Sequence, residues 1–446
     1  MKINMPSQVK NAIAKIESSG HETYIVGGCV RDRICNFDVH DWDVTTSATP
    51  NEIMGIFADY TTVETGTEHG TVTVIIQSMP IEITTYRIDG QYTDNRRPEQ
   101  VIFTKNIQQD LSRRDFTINA LAYSERTGIV DLFGGIDDIR KGIIRCVGEP
   151  DDRFTEDALR IMRALRFASV LDFKIESGTA ESIHRNKHLL KKISVERFQK
   201  ELNGLLMGEA AERILNEYRD VIAEIIPEIT PMFDFDQRTK YHNLDIWRHT
   251  AKSVGESEKE IEVRLTMFFH DIGKPSSFSV DEHGVGHFYG HGKESTILTK
   301  KILKRLKYPT KTIEYVSKLV RYHDSVIHPN KKSVARWLNR LSEQGIRRLL
   351  FVKRADTIAH APEYIGRLDE IDSIEEVVDE VIKDEDCFSL KQLKVDGNDL
   401  IEIGITQGMK IGNTLKNLLD AVINLECKND KDELLNLARK LNKIKQ

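Results

Sequence analysis

Cysteine is scarce in this sequence, five in 446 residues. The number is odd and no two stand in a Cys-x-x-Cys spacing. Cys29, Cys35, Cys146, Cys387 and Cys427 therefore read as free thiols of a reducing cytoplasm, which excludes a disulfide-dense secreted module. Proline (11) and glycine (27) are too few for a collagen-like rod, and 39% hydrophobic with 30% charged residues is not the composition of a disordered tail. No apolar run approaches the roughly 18 residues that a membrane-spanning helix needs. The start, MKINMPSQVKNAIAKIE, lacks the apolar centre of a signal peptide. The expectation is a cytoplasmic protein with no membrane partner. Charge of one sign is also missing: 64 Lys+Arg against 70 Asp+Glu leave −6. That balance neither announces nor excludes a nucleic-acid partner, because phosphate is met by local patches. There is no fixed-period repeat. GKPS (273–276) and GKES (292–295) lack the spacing of a phosphate-binding P-loop.

What is present is about three domains' worth of chain at roughly 150 residues each. An amphipathic helix is expected over 9–19, followed by strands at 23–27, 42–46, 71–77 and 81–87, the last two joined as a hairpin through Ser78–Pro80. A helix is expected to open at RDFTINALAYS (114–124), and a Gly/Asp-rich turn at 131–138 closes the region. From about residue 155 the pattern is helical almost to the end. A polar stretch at 231–243 marks a softer boundary.

Three constellations carry chemistry. The first is VGGCVRD (26–32) followed by DWD (41–43). On a strand, residues i and i+2 share a face, so Asp41 and Asp43 present carboxylates side by side. Such a pair is costly unless a cation neutralises it, and hard oxygen ligands suit Mg²⁺. Gly27 and Gly28, at a strand-to-helix turn, let backbone amides meet a phosphate, and Arg31, beside Asp32, adds a fixed cation. Glu82 lies inside an apolar strand, either as a third carboxylate at the same metal or as part of a solvated face.

GGCVRD…DWDVTT resembles the nucleotidyltransferase signature of the DNA polymerase beta superfamily. In detail it is similar to class II tRNA nucleotidyltransferases, the CCA-adding enzymes and their bacterial poly(A) polymerase relatives. The resemblance implies two-metal transfer of a nucleoside monophosphate from an NTP to a 3′-hydroxyl, with Asp41 and Asp43 holding two Mg²⁺ ions.

The second constellation is SRRDFTINALAYS (112–124) with TEDALRIMRALRFA (155–168). Both resemble motifs of that family. Arg113 and Arg114 would meet triphosphate, Asp115 would orient them, and Asn119 would face the same site one helical turn on. Asp157 and Arg160, spaced i, i+3, would project from one helix face. Asp accepts from an exocyclic amine and Arg donates to a ring nitrogen, the edge pattern of cytosine and adenine. Guanine and uracil present the inverse. A rigid Asp/Arg pair thus favours C and A with no template, by about 1–3 kcal/mol. The same spacing also sets Glu156 against Arg160 as an ordinary i, i+4 ion pair. Arg163 and Arg166 extend the stripe toward triphosphate or primer, and ERFQKEL (196–202) resembles a family helix that braces the pocket. YRIDGQYTDNRRPEQVIF (86–103) resembles the flexible loop found in CCA-adding and A-adding enzymes and lacking in CC-adding ones.

The third constellation lies in the helical half: His249, His270–Asp271, His287, His291, His323 and Asp356, out of 14 histidines. Imidazole and carboxylate together suit a transition metal. FFHDIGKP resembles the HD phosphohydrolase superfamily, which implies His249, His270, Asp271 and Asp356 as ligands of an ion such as Ni²⁺ or Mn²⁺. His291 and His323 would serve a second ion or substrate, whereas His287 is equally read as a surface residue. The C-terminal stretch 394–419, with Gly408 and Gly412, resembles the tail of long CCA-adding enzymes and is a candidate tRNA contact.

Together these readings give an α+β protein: a DNA polymerase beta-like nucleotidyltransferase head with a mixed sheet (1–145), then an all-α neck and body (146–235), an HD domain (236–370) and a tail (371–446). The implied activity is addition of C, C and A from CTP and ATP to the tRNA 3′ end. An A-adding enzyme or a poly(A) polymerase is the first alternative. An HD phosphodiesterase with an RNA-binding head is the second.

Overall fold

The computed structural model describes residues 2–39, 41–89 and 101–444. Residues 90–100, the middle of the loop-like segment 86–103, lie outside the described residues, as does His40. The chain divides into two compact units, Met1–Thr230 with Arg305–Lys307, and Pro231–Lys304 with Tyr308–Gln446. Among the described residues no helix is long and apolar enough to cross a membrane.

The first unit begins with helix α1 (Ser7–Ser18), whose Val9, Ala12, Ile13 and Ile16 form the buried stripe that a 3.6-residue period demands. Then come β1 (Thr23–Val26), α2 (Gly28–Ile34), β2 (Asp43–Thr46), α3 (Pro50–Ile56), β3 (Thr61–Gly66), β4 (Thr71–Ile76), β5 (Met79–Thr85), β6 (Arg87–Asp89), β7 (Val101–Phe103), α4 (Ile107–Ser112), β8 (Leu121–Ser124), β9 (Gly128–Asp131) and α5 (Gly135–Lys141). Seven strands form one mixed sheet in the order β3-β4-β5-β2-β1-β8-β9. Only β2 and β5 run parallel within it; the remaining neighbours are antiparallel. β1 and β8 are buried along their whole length, so they read as continuous apolar runs.

Two local expectations change. The hairpin turn is Gln77–Ser78, not Ser78–Pro80: both residues have φ > 0 (50° and 67°), a left-handed pair whose twist suits a two-residue hairpin, and Met79–Pro80 already belong to β5. RDFTINALAYS contains no α-helix. It forms a single 3₁₀ turn, Thr117–Asn119, followed by the central strand β8. A strand covered on both faces has no alternation to reveal it, and its apolar run mimics a buried helix.

The remainder of this unit is helical: α6 (Pro150–Glu156), α7 (Leu159–Leu171), α8 (Ser177–Asn186), α9 (Val195–Leu206), α10 (Ala211–Glu217) and α11 (Arg219–Ala223). A short parallel pairing of Ile143–Ile144 with Lys174–Ile175 interrupts the helical run. The second unit holds α12 (Ile246–Gly255), α13 (Ile261–Phe269), α14 (His291–Arg305), α15 (Thr310–Tyr322), α16 (Lys331–Leu341) and α17 (Glu343–Ala359), with further helices over 368–441. Its core is built on Trp247, Phe268 and Phe269, rings packed edge to face at 5.8 and 4.8 Å.

Candidate functional site

In the first unit the acidic side of the site is made by the sheet. β2 begins at Asp43, with Asp41 two residues before it; both acids are exposed, while Trp42 between them is buried. The parallel register sets Glu82 of β5 directly beside Asp43. Paired residues on neighbouring strands share a face, so a carboxylate brought from a distant segment joins the DWD pair. Asp43 is open to solvent on one side, but partial desolvation and then the Glu82 charge raise its pKa, opposed by Arg114. Three carboxylates gathered on one side of the sheet are a donor set that a hard divalent cation satisfies.

The cationic side comes from α2 (Arg31), the segment after α4 (Arg114) and α7 (Arg163 and Arg166). Gly27 has φ +79°, and a Cβ there would lie 3.0 Å from Arg114 Nη1, so any other residue would crowd that guanidinium. Arg31 donates to Asp32 (2.8 Å) and to Asn119 Oδ1 (2.6 Å). Asn119 in turn donates to Asp115 at 3.1 Å, the pairing expected of a helical turn but delivered by the 3₁₀ turn. Arg163 donates to Asp115 Oδ2 (2.7 Å) and Arg166 to Glu201 Oε2 (2.6 Å). One cavity of about 380 Å³ is lined by Asp41 and Asp43 on one side and by Arg31, Arg114, Arg163 and Arg166 on the other, with Gly27, Gly28, Asp32, Asp115 and Asn119 also on its wall.

Some residues sit elsewhere. Asp115 was expected to orient Arg113 and Arg114. Asp110, fully buried, holds them instead: its Oδ1 accepts from Arg113 Nε and Nη2 (3.0 and 2.8 Å), its Oδ2 from Arg114 Nη2 (3.3 Å). The signal was present as i, i+3 and i, i+4 pairs within QQDLSRR. Asp157 and Arg160 do not ride one continuous helix, because Asp157 adopts an extended conformation between α6 and α7. Asp157 accepts from Arg197 of the ERFQKEL segment at 2.7 Å. Arg160 is buried, donating to Glu156 (2.5 Å) and to the Arg113 carbonyl (2.9 Å). Asp38, Cys29 and Phe167 also line the cavity and carried no sequence signal.

Burial alone would raise the Asp115 pKa. Arg163 and the Asn119 amide outweigh it and bring the carboxyl to about 2. A carboxyl depressed on folding adds stability above its unfolded pKa, near 4, and loses it as pH falls toward 2, an amount of about 2 kcal/mol. Denaturant unfolding at pH 5 and pH 3 should show about half of this loss in the wild type and a correspondingly flatter profile in Asp115→Asn.

A second cluster lies wholly in the other unit. His249 comes from α12, His270 and Asp271 from the end of α13, Asp356 from α17, His291 from the start of α14 and His323 from the end of α15. His249 Nε2 is 2.9 Å from Asp356 Oδ1 and 3.4 Å from His270 Nε2; His270 Nε2 is 3.1 Å from Asp271 Oδ2. His291 and His323 meet Nε2 to Nε2 at 3.1 Å, each within 3.7 Å of Asp271 Oδ1. The outer nitrogens face backbone carbonyls: Nδ1 of His270, His291 and His323 lie 2.6, 2.9 and 2.8 Å from Met267, Phe288 and Val320 oxygens, and His249 Nδ1 lies 3.3 Å from Ala359. Those carbonyls fix the Nδ1–H tautomer and turn four Nε2 lone pairs inward, the orientation of metal-ligating imidazoles. Lone pairs facing one another over 3.1–3.4 Å need a cation or a proton between them. Without a metal, burial opposes protonation of His270, but the Asp271 carboxylate overrides it and holds the group up at about 10. Asp271 is also ion-paired with Lys274 Nζ at 2.7 Å, yet neither oxygen makes a well-aligned hydrogen bond. This donor set fits a transition metal. His287 pairs with Asp281 at 2.8 Å; it lines the same cavity as the cluster but is not one of the groups whose ligand atoms come together.

The family described as 'Poly A polymerase head domain' matches residues 23–145, that described as 'Probable RNA and SrmB- binding site of polymerase A' matches 172–233, and that described as 'tRNA nucleotidyltransferase domain 2 putative' matches 294–438. The class is therefore a tRNA nucleotidyltransferase with a polymerase-type head. The CCA-adding enzyme of Limosilactobacillus reuteri is 33% identical over 432 residues, 97% of this chain and 96% of the relative. That of Ligilactobacillus salivarius is 48% identical over 220 residues, 49% of this chain and 54% of the relative. The structure of the Bacillus stearothermophilus CCA-adding enzyme in complex with CTP superimposes with TM-score 0.76 at 27% identity, covering 98% of both chains. That of the Thermotoga maritima enzyme complexed with tRNA shares the fold, with TM-score 0.61 at 19% identity, covering 98% of this chain and 96% of that one. This chain belongs to the family of CCA-adding enzymes.

Proposed function

We propose that the chain adds C, C and A to the 3′ end of tRNA from CTP and ATP without a template. The observation that carries the chemistry is the cavity in which Asp41 and Asp43, with Glu82 in register, face Arg31, Arg114, Arg163 and Arg166. The acids would hold two Mg²⁺ ions, which supply charge neutralisation for the reacting phosphate and the leaving pyrophosphate. The arginines bind and orient the triphosphate, as bidentate guanidinium groups do. The tRNA 3′-oxygen forms its bond to the α-phosphorus while the bond to the β-phosphate oxygen breaks, and pyrophosphate leaves.

Base selection falls to Asp157 and Arg160 by hydrogen-bond polarity. Arg197 donates to Asp157 and Arg160 donates to Glu156, and a nucleotide edge would compete for these same groups. Arg160→Ala should lose about 1–3 kcal/mol of preference for CTP over UTP, read as the ratio of kcat/KM values on a tRNA lacking its CCA end. Extension of tRNAs ending before CCA, after CC and after CCA, offered CTP, ATP or both, tests the reading. CC from CTP alone and CCA from both are expected. Extension only of the CC-ended tRNA, by one A, would make it an A-adding enzyme; long A tails would make it a poly(A) polymerase.

A second reading rests on the inward-turned Nε2 atoms. The unit after residue 230 resembles an HD domain, with His249, His270, Asp271 and Asp356 ligating one transition ion and His291 and His323 a second. Its activity would be phosphoester hydrolysis with Ni²⁺ or Mn²⁺. The segmentation at 145, 235 and 370 and the tail contact to tRNA around Gly408–Gly412 belong to the same reading.

A further inference from the structure

We infer that Phe167 is a positioning residue of the triphosphate subsite, its ring gathering Arg31, Arg163 and Arg166 into one preformed anion cradle. The inference rests on the nucleotidyl-transfer reading above. The guanidinium carbons of Arg166, Arg31 and Arg163 lie 4.2, 4.9 and 5.2 Å from the centroid of this one ring. All three arginines and Phe167 line the cavity that holds Asp41 and Asp43. The ring itself is 6% exposed and braced edge-on by Phe116 at 5.9 Å and 82°, so it is a fixed platform.

Three guanidinium groups this close repel one another. Burial, and then the neighbouring Arg163 and Arg31 charges, lower the proton affinity of Arg166. Each has one carboxylate on its Nε side: Asp32 for Arg31, Asp115 for Arg163, Glu201 for Arg166. Those contacts, with that of Asn119 to Arg31, leave at least two of the five N–H donors of every guanidinium for a ligand. A carboxylate fixes a guanidinium at one edge but lets its plane swing. The second constraint is the ring face, whose quadrupole attracts cations and whose surface sets the plane. The ligand chemistry follows: several like-charged phosphate oxygens close together, the β,γ end of an NTP, not a single phosphate. Gly204 of α9 completes the arrangement, because a Cβ there would lie 2.5 Å from Arg166 Cδ.

The test combines Phe167→Leu with phenylalanines of increasing fluorination placed at 167, which empty the ring face of negative charge at nearly constant volume. In Phe167→Leu the KM for CTP and for ATP should rise roughly tenfold, with kcat within about twofold and the KM for tRNA unchanged. Along the fluorinated series the KM should climb stepwise. Calorimetric binding of inorganic tripolyphosphate should weaken in parallel, and that of AMP should not. Unchanged KM and tripolyphosphate affinity across the fluorinated series would overturn the inference, as would a fall in kcat alone. Tripolyphosphate binding reads the cradle without catalysis. Failure of the wild type to extend tRNA would therefore count against the nucleotidyl-transfer reading, and would be seen separately.

Discussion

Asp43→Ala is expected to abolish CMP and AMP addition to tRNA, lowering kcat/KM by about three orders of magnitude or more, the scale of several kcal/mol of lost metal-centred charge stabilisation. Primer extension with Mg²⁺, and again after chelation, measures it. The same position carries a second, opposite effect on stability. The folded state raises the Asp43 pKa through partial desolvation and the Glu82 charge. An acid raised on folding binds its proton more tightly in the native state, so stability falls as pH climbs through its folded pKa. Asp43→Asn, which never ionises, should therefore melt higher than the wild type at neutral pH without divalent metal, while being inactive. Adding Mg²⁺ should raise the wild-type melting temperature and leave Asp43→Asn nearly unmoved. A variant that is both inactive and less stable without metal would contradict the electrostatic account.

The other large effect is expected at Asp271. Its carboxylate is the common neighbour of His270, His291, His323 and Lys274, all buried. Asp271→Asn leaves Lys274 without its counter-charge and His270 with Asp356 alone, at a cost of about 3–5 kcal/mol for a broken buried pair. In the wild type, Ni²⁺ or Mn²⁺ at about 100 times its Kd should stabilise this unit by about 2.7 kcal/mol. Asp271→Asn should lose both the metal, by elemental analysis after loading and desalting, and the thermal shift. An unchanged metal content would sink the ligand assignment. Hydrolysis of a phosphodiester that persists in Asp41→Ala and disappears in His270→Ala would attach a second activity to this unit.

Much of both sites was legible because their chemistry is local. Asp41 and Asp43 announce themselves two residues apart, with Gly27, Gly28 and Arg31 just before them. The histidines stand out by type, since no core needs His249, His270, His291 and His323 in one place. What the sequence hid is set by non-local pairing. Glu82 is a candidate from its sequence alone, but its place beside Asp43 comes from a parallel register between strands separated by a helix and a hairpin, and neither strand says which neighbour it will choose. Asp115 yields its expected role to Asp110, which carried none, for a related reason. Both lie within hydrogen-bond reach of arginines in sequence, but a 3₁₀ turn where a helix was expected turns Asp115 toward α7, leaving Arg113 and Arg114 to Asp110. β8 escaped notice because burial on both faces erased its alternation. The Glu156–Arg160 pair is legible from its i, i+4 spacing, but the break between α6 and α7 and the contact of Asp157 with Arg197 are not.

Gly204 has a bearing on how such an enzyme changes over generations. It stands on a helix behind the anion cradle and offers no atom to a nucleotide, yet the space it leaves is filled by Arg166. Any side chain acquired there would act on phosphate affinity from the rear, by pushing an arginine rather than by replacing one. Libraries that randomise only pocket-lining positions would never sample that route, and lineages drifting in substrate affinity would leave its mark on a position that looks like plain helix packing.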